Sequence, residues 1–459
     1  MAPTYRILSR NENNGSPAEG AGVHRRKMFE WRRLASAACL VLLACVQGSY
    51  GQAPTGNWSA SVTLDSGNVM TQPAISGPAD VATAVWTSGQ SSATSLKVAQ
   101  KTSGVNLWQV AAMAEGGITL PPVVAESSDG TAIAGMSAVG YPTVSTRNGF
   151  NASWGPQVTL SSGGVYLWRL FLDGQDNAVA LTSDNCPSTC STYVADRPYG
   201  GSWTTKLING NGTTYGAISA LNASGMMAAV FVGVQGSALN ITVRTRTSST
   251  GAWTAAQQLW SGTGTVTPQV AVAIDVNGLV TVAWNVYANG GYTSLEASQG
   301  QAGSSTWSAP VILDSVASGY NVQSPVVAAV PVTGDVVAAW SRRTTVSAIE
   351  TSYLSRGGSW SAPVAVNTPS ANSAGKPSLA ASPDGSLVAL TWVSSFSKTA
   401  AAFNAAVENP ATHQWTPPAL LSTTGDLSSQ PVVTCGPSGT ATAVWLGTKH
   451  YSVVAATYK

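Results

Sequence analysis

The residues of this chain best equipped to hold a ligand are aromatic. Sixteen tryptophans and thirteen tyrosines stand among 459 residues, against three histidines. Most of the tryptophans fall into two regular series, and the two beyond the N-terminal region that do not, Trp168 and Trp260, are candidate binding residues. Tyr166, Arg169, Tyr215, Tyr287, Tyr320, Arg342 and Arg343 complete the candidate set, with Tyr141, Tyr292, Asn209, Asn211, Asp314, His450 and Tyr451 in the same kind of connection. A flat aromatic face covers the CH surface of a sugar ring, while amides, phenols and guanidiniums supply directed hydrogen bonds to its hydroxyls. The set points to a carbohydrate. The plainer alternative is that Tyr and Asn decorate exposed turns, as Asn209-Gly-Asn-Gly212 would by its backbone preference.

Groups able to break bonds are scarce. There is no H-E-x-x-H and no G-x-S-x-G, and after the N-terminal region only His413 and His450 remain, so zinc and serine-hydrolase chemistry lack their parts. Glu126, Asp173 and Asp314 are the carboxylates on which a divergent glycoside hydrolase or lyase would draw. Asp173-Gly-Gln-Asp176 has too few oxygen ligands for a calcium loop and reads as a surface turn. We expect no catalytic set, no metal site and no cofactor. Cys186-Pro-Ser-Thr-Cys190 is expected to close a small disulfide worth about 2 kcal/mol, because its spacing is not that of a C-x-x-C redox pair. Cys435 is expected to be a buried free thiol.

These residues are positioned by a repeat. Trp58, Trp108, Trp154, Trp203, Trp253, Trp307, Trp360 and Trp415 are separated by 50, 46, 49, 50, 54, 53 and 55 residues. A short strand-like run follows each marker, as in Trp307-Ser-Ala-Pro-Val-Ile-Leu313, and then a polar loop. Next come an apolar run opened by proline, a turn containing glycine, and a second apolar run ending at Trp86, Trp284, Trp340, Trp392 or Trp445. Four short strands per period of about 50 residues make a propeller blade, since one small twisted sheet cannot bury its faces until neighbours stack on it. The fold class is therefore all-β. Innermost strands are expected near 73–77, 122–126, 167–172, 216–221, 268–273, 325–330, 377–381 and 431–435, which makes eight blades. The strand from Trp58 to Leu64 and the one from Tyr451 to Tyr458 supply what the other lacks, so the N-terminal strand should complete the last blade and remove an open edge. Seven blades is the alternative, because the third unit carries Thr182 where others carry Trp. Both tryptophan series are expected to fill the wedge between sheets.

The segments before the markers, among them Ile349-Glu-Thr-Ser-Tyr-Leu-Ser-Arg-Gly-Gly-Ser-Trp360 and Thr192-Tyr-Val-Ala-Asp-Arg-Pro-Tyr-Gly-Gly-Ser-Trp203, resemble the bacterial neuraminidase repeat, or Asp-box, of sialidase-like propellers. Glycine and tryptophan of that box persist while its Asp is missing in nearly every copy. The resemblance implies that the marker strand is outermost and the proline-led strand innermost. It also implies a binding rim where outer-to-inner and second-to-third connections emerge, and it puts Trp168, Trp260 and the other candidates there. Trp168 takes roughly the proline slot of an innermost strand, and Trp260 falls just past the end of an outer one. A sialidase-type site would need an arginine triad and the Phe/Tyr-Arg-Ile-Pro motif. That motif is absent, and only Arg169 sits high on an innermost strand.

Composition sets the remaining limits. Only 9% of residues are charged, as suits stacked sheets joined by uncharged turns, and 44% are hydrophobic, enough to close a core. Arg25-Arg26-Lys27 and Arg32-Arg33 precede an apolar run from Leu34 to Ala44, the pattern of a secretory signal and too short for a bilayer span. The expected division is 1–51 as signal and extension and 52–459 as one propeller. Secretion to an extracellular or periplasmic space is expected, with lipid anchoring at Cys45 as the alternative. Residues 52–459 keep 15 Lys and Arg against 17 Asp and Glu, so nucleic acid is disfavoured as a partner. The sequence thus suggests a monomeric, non-catalytic binder of a glycan, with an extracellular protein as the other partner class and a divergent glycosidase as the enzymatic alternative.

Overall fold

The structure is a computed structural model that describes residues 54–459 except 79, 91–92, 102–106, 116–119, 138–140, 161–164, 185–189, 236–237, 264–265, 289, 371–372, 396–400, 426–428 and 448–451. Side chains at 90, 93, 114–115, 210–216, 235 and 424–425 also lie outside the description. The described chain is all-β and folds as an eight-bladed propeller of four-stranded antiparallel blades. We number the blades from the one whose inner strand is Ala74–Ser76. Blades 3 and 4 share one seven-stranded sheet, because Thr204–Leu221 runs on from the outer strand of the former into the inner strand of the latter. In blade 7 the outer strand is in two pieces, Gln414–Trp415 and Ala419–Gly425, both paired with Ala401–Asn409. Among the described residues no helix is long and apolar enough to cross a membrane.

The ring closes as the chain ends suggest. Val62–Asp65 pairs with Val453–Tyr458, Val62 opposite Ala455, and so becomes the outer strand of blade 8. Trp58 bridges to Tyr458 and their rings meet at 5.7 Å. The count is eight rather than seven because the degenerate third unit still forms its strands, Tyr166–Leu172, Ala178–Ser183 and Cys190–Arg197.

Burial decides which sequence pattern each strand shows. Second strands are covered on both faces by neighbouring blades, so Ala132–Ser137 and Ala178–Ser183 are buried at every position and read as unbroken runs of small and apolar residues. Trp86, Trp284, Trp340, Trp392 and Trp445 lie in the seams and are at most 1% exposed. Trp340, for example, packs on Ala283, Leu295 and Ala297 of the preceding blade. The indole N–H groups of Trp86 and Trp340 cross a seam to Asp65 and Asp314, each at 2.8 Å. The eight marker tryptophans also lie in the seams, each packed against the core cluster between its own blade and the preceding one, but they are half-buried where the second-strand series is sealed. Gly300 lies beneath Trp307 with no room for a Cβ, and Arg147, Arg197 and Arg246 stack on Trp154, Trp203 and Trp253.

Candidate functional site

The inner strands enclose a channel of about 660 Å³ with lining residues from all eight blades. Its mouth is built from prolines. Pro73 and Pro122 directly precede the inner strands Ala74–Ser76 and Val123–Glu126, while Pro325 and Pro377 sit at register shifts within Asn321–Ala329 and Ala374–Ala381, and all four line the wall. Proline is tolerated there because the channel-side edge of an innermost strand pairs with nothing, so the missing N–H costs no ladder bond. Trp168 takes this slot in blade 3. A register shift between Leu167 and Arg169 forms a bulge at Trp168, and Trp168 and Arg169 both line the channel. Leu167 and Leu170 on either side go into the core between blades 2 and 3.

Trp168 is half-buried, its indole N–H donates to the Ser183 hydroxyl at 2.8 Å, and the Tyr166 ring stands 6.1 Å away at a tilt of 58°. With its polar edge engaged, the indole offers the channel an apolar face. Arg169 is exposed to the channel, yet walls surround it, and burial lowers its pKa from the ordinary arginine value. Its Nη1 donates to the Trp168 carbonyl at 3.2 Å, and among the described residues no carboxylate pairs with it. The other lining residues are uncharged, and only Ser378 and Gln430 among them carry polar side chains. Gln430 already donates to the Pro377 carbonyl at 2.9 Å.

Elsewhere on this rim the Tyr287 and Tyr292 rings make an edge-to-face pair at 5.3 Å, with the Tyr292 hydroxyl donating to the Thr267 carbonyl at 3.2 Å. Burial, and then Tyr287 beside it, raises the pKa of the Tyr292 phenol. Half-buried Tyr320 is close in the chain to Asn321, whose side chain accepts the Tyr292 N–H at 3.0 Å. Between blades 6 and 7 a polar cleft of about 360 Å³ holds Arg343, Lys376, Gln323 and Ser324. Lys376 was not among the expected residues. Its signal was legible, since it precedes Pro377 in the same way that Gln72, Ser324 and Gln430 precede their prolines.

The other candidates separate. Arg342 is tied to Asp314 at 3.3 Å. Trp260 lies within the outer strand Gln257–Thr263, opposite Ile241, and its half-buried ring packs on the core between blades 4 and 5 with Gly262 against it. The outer strand continues further than the sequence suggested, so Trp260 and Trp168 stand on outermost and innermost strands and do not form one site. Tyr215 falls in the Thr204–Leu221 strand with its side chain outside the description, and His450 and Tyr451 lie outside the described residues. Cys190 is buried and disulfide-bonded, while its expected partner Cys186 lies outside the described residues. Cys435 is free and buried, and burial pushes its thiol up to about 12.

The carboxylates that a glycosidase would use are engaged locally. Asp173 accepts the N–H groups of Gln175 at 2.8 Å and Asn177 at 3.0 Å, holding its own turn. Glu126 pairs with Arg147, and Asp314 is shared by Arg342 and Trp340. None of the three lines the channel.

A comparison with protein-family models gives no match, and a comparison with curated proteins gives none either. Solved structures do match. A prolyl endopeptidase is similar at a TM-score of 0.50 and 12% identity, over 84% of this chain and 55% of that one. The Dos1 propeller is similar at 0.49 and 8% identity, over 88% of this chain and 95% of that one. A protein of unknown function from Dyadobacter fermentans is similar at 0.44 and 9%, over 88% and 99%. At these identities the likeness concerns the fold alone, and this chain spans little more than half of the endopeptidase.

Proposed function

We propose that this protein is an exported, non-catalytic propeller of the sialidase-like kind that binds carbohydrate across the rim where the channel opens. The observation that carries the reading is Trp168, an aromatic ring in the slot that six other blades fill with proline, with Tyr166 beside it. An aromatic face at a channel mouth suits stacking on a sugar ring, and the Tyr287–Tyr292 pair offers a second platform on the same rim. The local engagement of Glu126, Asp173 and Asp314 favours binding over hydrolysis. Export is supported by the basic and apolar N-terminal pattern and by the disulfide at Cys190, which would not persist in a reducing compartment.

One shallow sugar site binds near the millimolar level, about −4 kcal/mol, so avidity would come from clustered ligands. A glycan array probed with residues 52–459, beside a panel of fluorogenic glycosides, tests the reading. Array binding that Trp168→Ala weakens at least tenfold, with no glycoside cleaved, is the expected result. Turnover of any glycoside, or array binding indifferent to Trp168→Ala, would contradict it.

A further inference from the structure

We propose that the channel binds a small organic carboxylate, with the charge held by Arg169 and the apolar body of the ligand against the proline and valine wall. This goes beyond the carbohydrate reading and does not rest on it. Arg169 is the one charged residue of the lining among the described residues, and it stands in walls made of Pro73, Pro325, Pro377, Val326 and Val432. A guanidinium carries five donors, and among the described residues the acceptor this one meets is the Trp168 carbonyl at 3.2 Å. The two sealed arginines pair with carboxylates, Arg147 with Glu126 and Arg246 with Asp196 at 2.9 and 3.0 Å, and half-buried Arg197 bonds the Thr146 hydroxyl and stacks on Trp203. Leaving a cation among apolar walls without a counter-charge is costly, so the missing partner is best supplied by a ligand.

The shape and chemistry of the channel narrow the class. A planar guanidinium fork matches a carboxylate with two parallel hydrogen bonds, and one cation selects one negative charge. The volume of about 660 Å³ lies inside the usual span for small-molecule sites, roughly 300–1,000 Å³. A polyhydroxylated body would find few partners, because Ser378 and Gln430 are the only polar side chains beside Arg169 and Gln430 is already committed. An aliphatic or aromatic body fits, with the indole of Trp168 as one flat wall.

The test is calorimetric titration of residues 52–459 with octanoate, its uncharged match octanol, and glucuronate as a carboxylate on a polar body, repeated with Arg169→Gln and Arg169→Lys. Octanoate should bind more tightly than the other two. Arg169→Gln should weaken octanoate by roughly 10–100-fold, the value of a charge-assisted hydrogen-bonded contact, and leave octanol unchanged. Arg169→Lys, which keeps the charge and loses the fork, should fall between. Melting temperature, read on each variant, should not drop, since Arg169 has no protein carboxylate to abandon. Octanoate and octanol binding alike, octanoate indifferent to Arg169→Gln, glucuronate binding tighter than octanoate, or no carboxylate bound at millimolar concentration would each overturn the proposal. Array binding lost with octanoate binding kept would sink only the carbohydrate reading.

Discussion

Arg147 and Arg246 occupy one end of the wheel and Arg169 the other, and the chain treats them in opposite ways. The first two end third strands on the face of the strand-to-strand hairpins, are 1% exposed, pair with Glu126 and Asp196 and stack on Trp154 and Trp253. Arg169 opens into the channel beside Trp168 and has no carboxylate partner among the described residues. Tryptophan divides in the same manner. Trp340 and its counterparts are sealed in seams, whereas Trp168 shows a face to the channel. The difference separates side chains that hold blades together from side chains left available to something else, and it locates the candidate site by the absence of internal partners.

The comparison can be broken most decisively through stability. Arg246→Met would leave Asp196 buried without its partner and should cost about 3–5 kcal/mol, and Trp340→Ala should cost a similar 3–5 kcal/mol as a sealed aromatic truncated in a seam. Urea denaturation would read both. Trp360→Ala should cost less than Trp340→Ala because its ring is half-buried. Arg169→Met should cost nothing or stabilise slightly. If Arg169→Met destabilised as much as Arg246→Met, the open arginine would be structural and the contrast would fail.

A smaller effect comes from pH. Burial pushes the Glu126 carboxyl up from 4.5 to about 7, against the pull of Arg147. A raised folded value means that between these two pH values the native chain holds a proton that the unfolded chain has released. The contribution of Glu126 to stability is therefore full below about pH 4.5 and falls as pH rises through 7. Glu126→Gln should remove that slope from the melting temperature. A slope that survives the substitution would show that the sealed pair is not its source.

Smallest is the effect on folding of the open face itself. Trp168→Ala should lower stability by about 1 kcal/mol, far less than a core aromatic, because its ring is backed by one blade seam and its N–H by a single hydroxyl.

Much of this architecture could be read before any coordinates. The marker spacing, the complementary chain ends and the proline that opens inner strands gave eight blades and their closure, because each blade repeats one burial problem and solves it with the same residue types. Trp168 was visible as a departure from the proline slot. What could not be read was local. Nothing in the run around Leu167 announces the bulge at Trp168 in the channel wall. The end of the outer strand at Thr263 was misjudged by a few residues, and this alone moved Trp260 from the rim to a packed seam. The sealed pairs were hidden as well, although Arg246 and Asp196 lie 50 residues apart, one repeat, as a seam between consecutive blades requires.

The most direct test of the account is the affinity of Trp168→Ala for the glycan that binds best on the array, measured on protein whose melting temperature has been compared with that of the parent and of Trp340→Ala. The account predicts at least a tenfold loss of affinity in a protein that melts close to the parent and well above Trp340→Ala. Unchanged affinity, or a melting temperature that falls as far as that of Trp340→Ala, would contradict it.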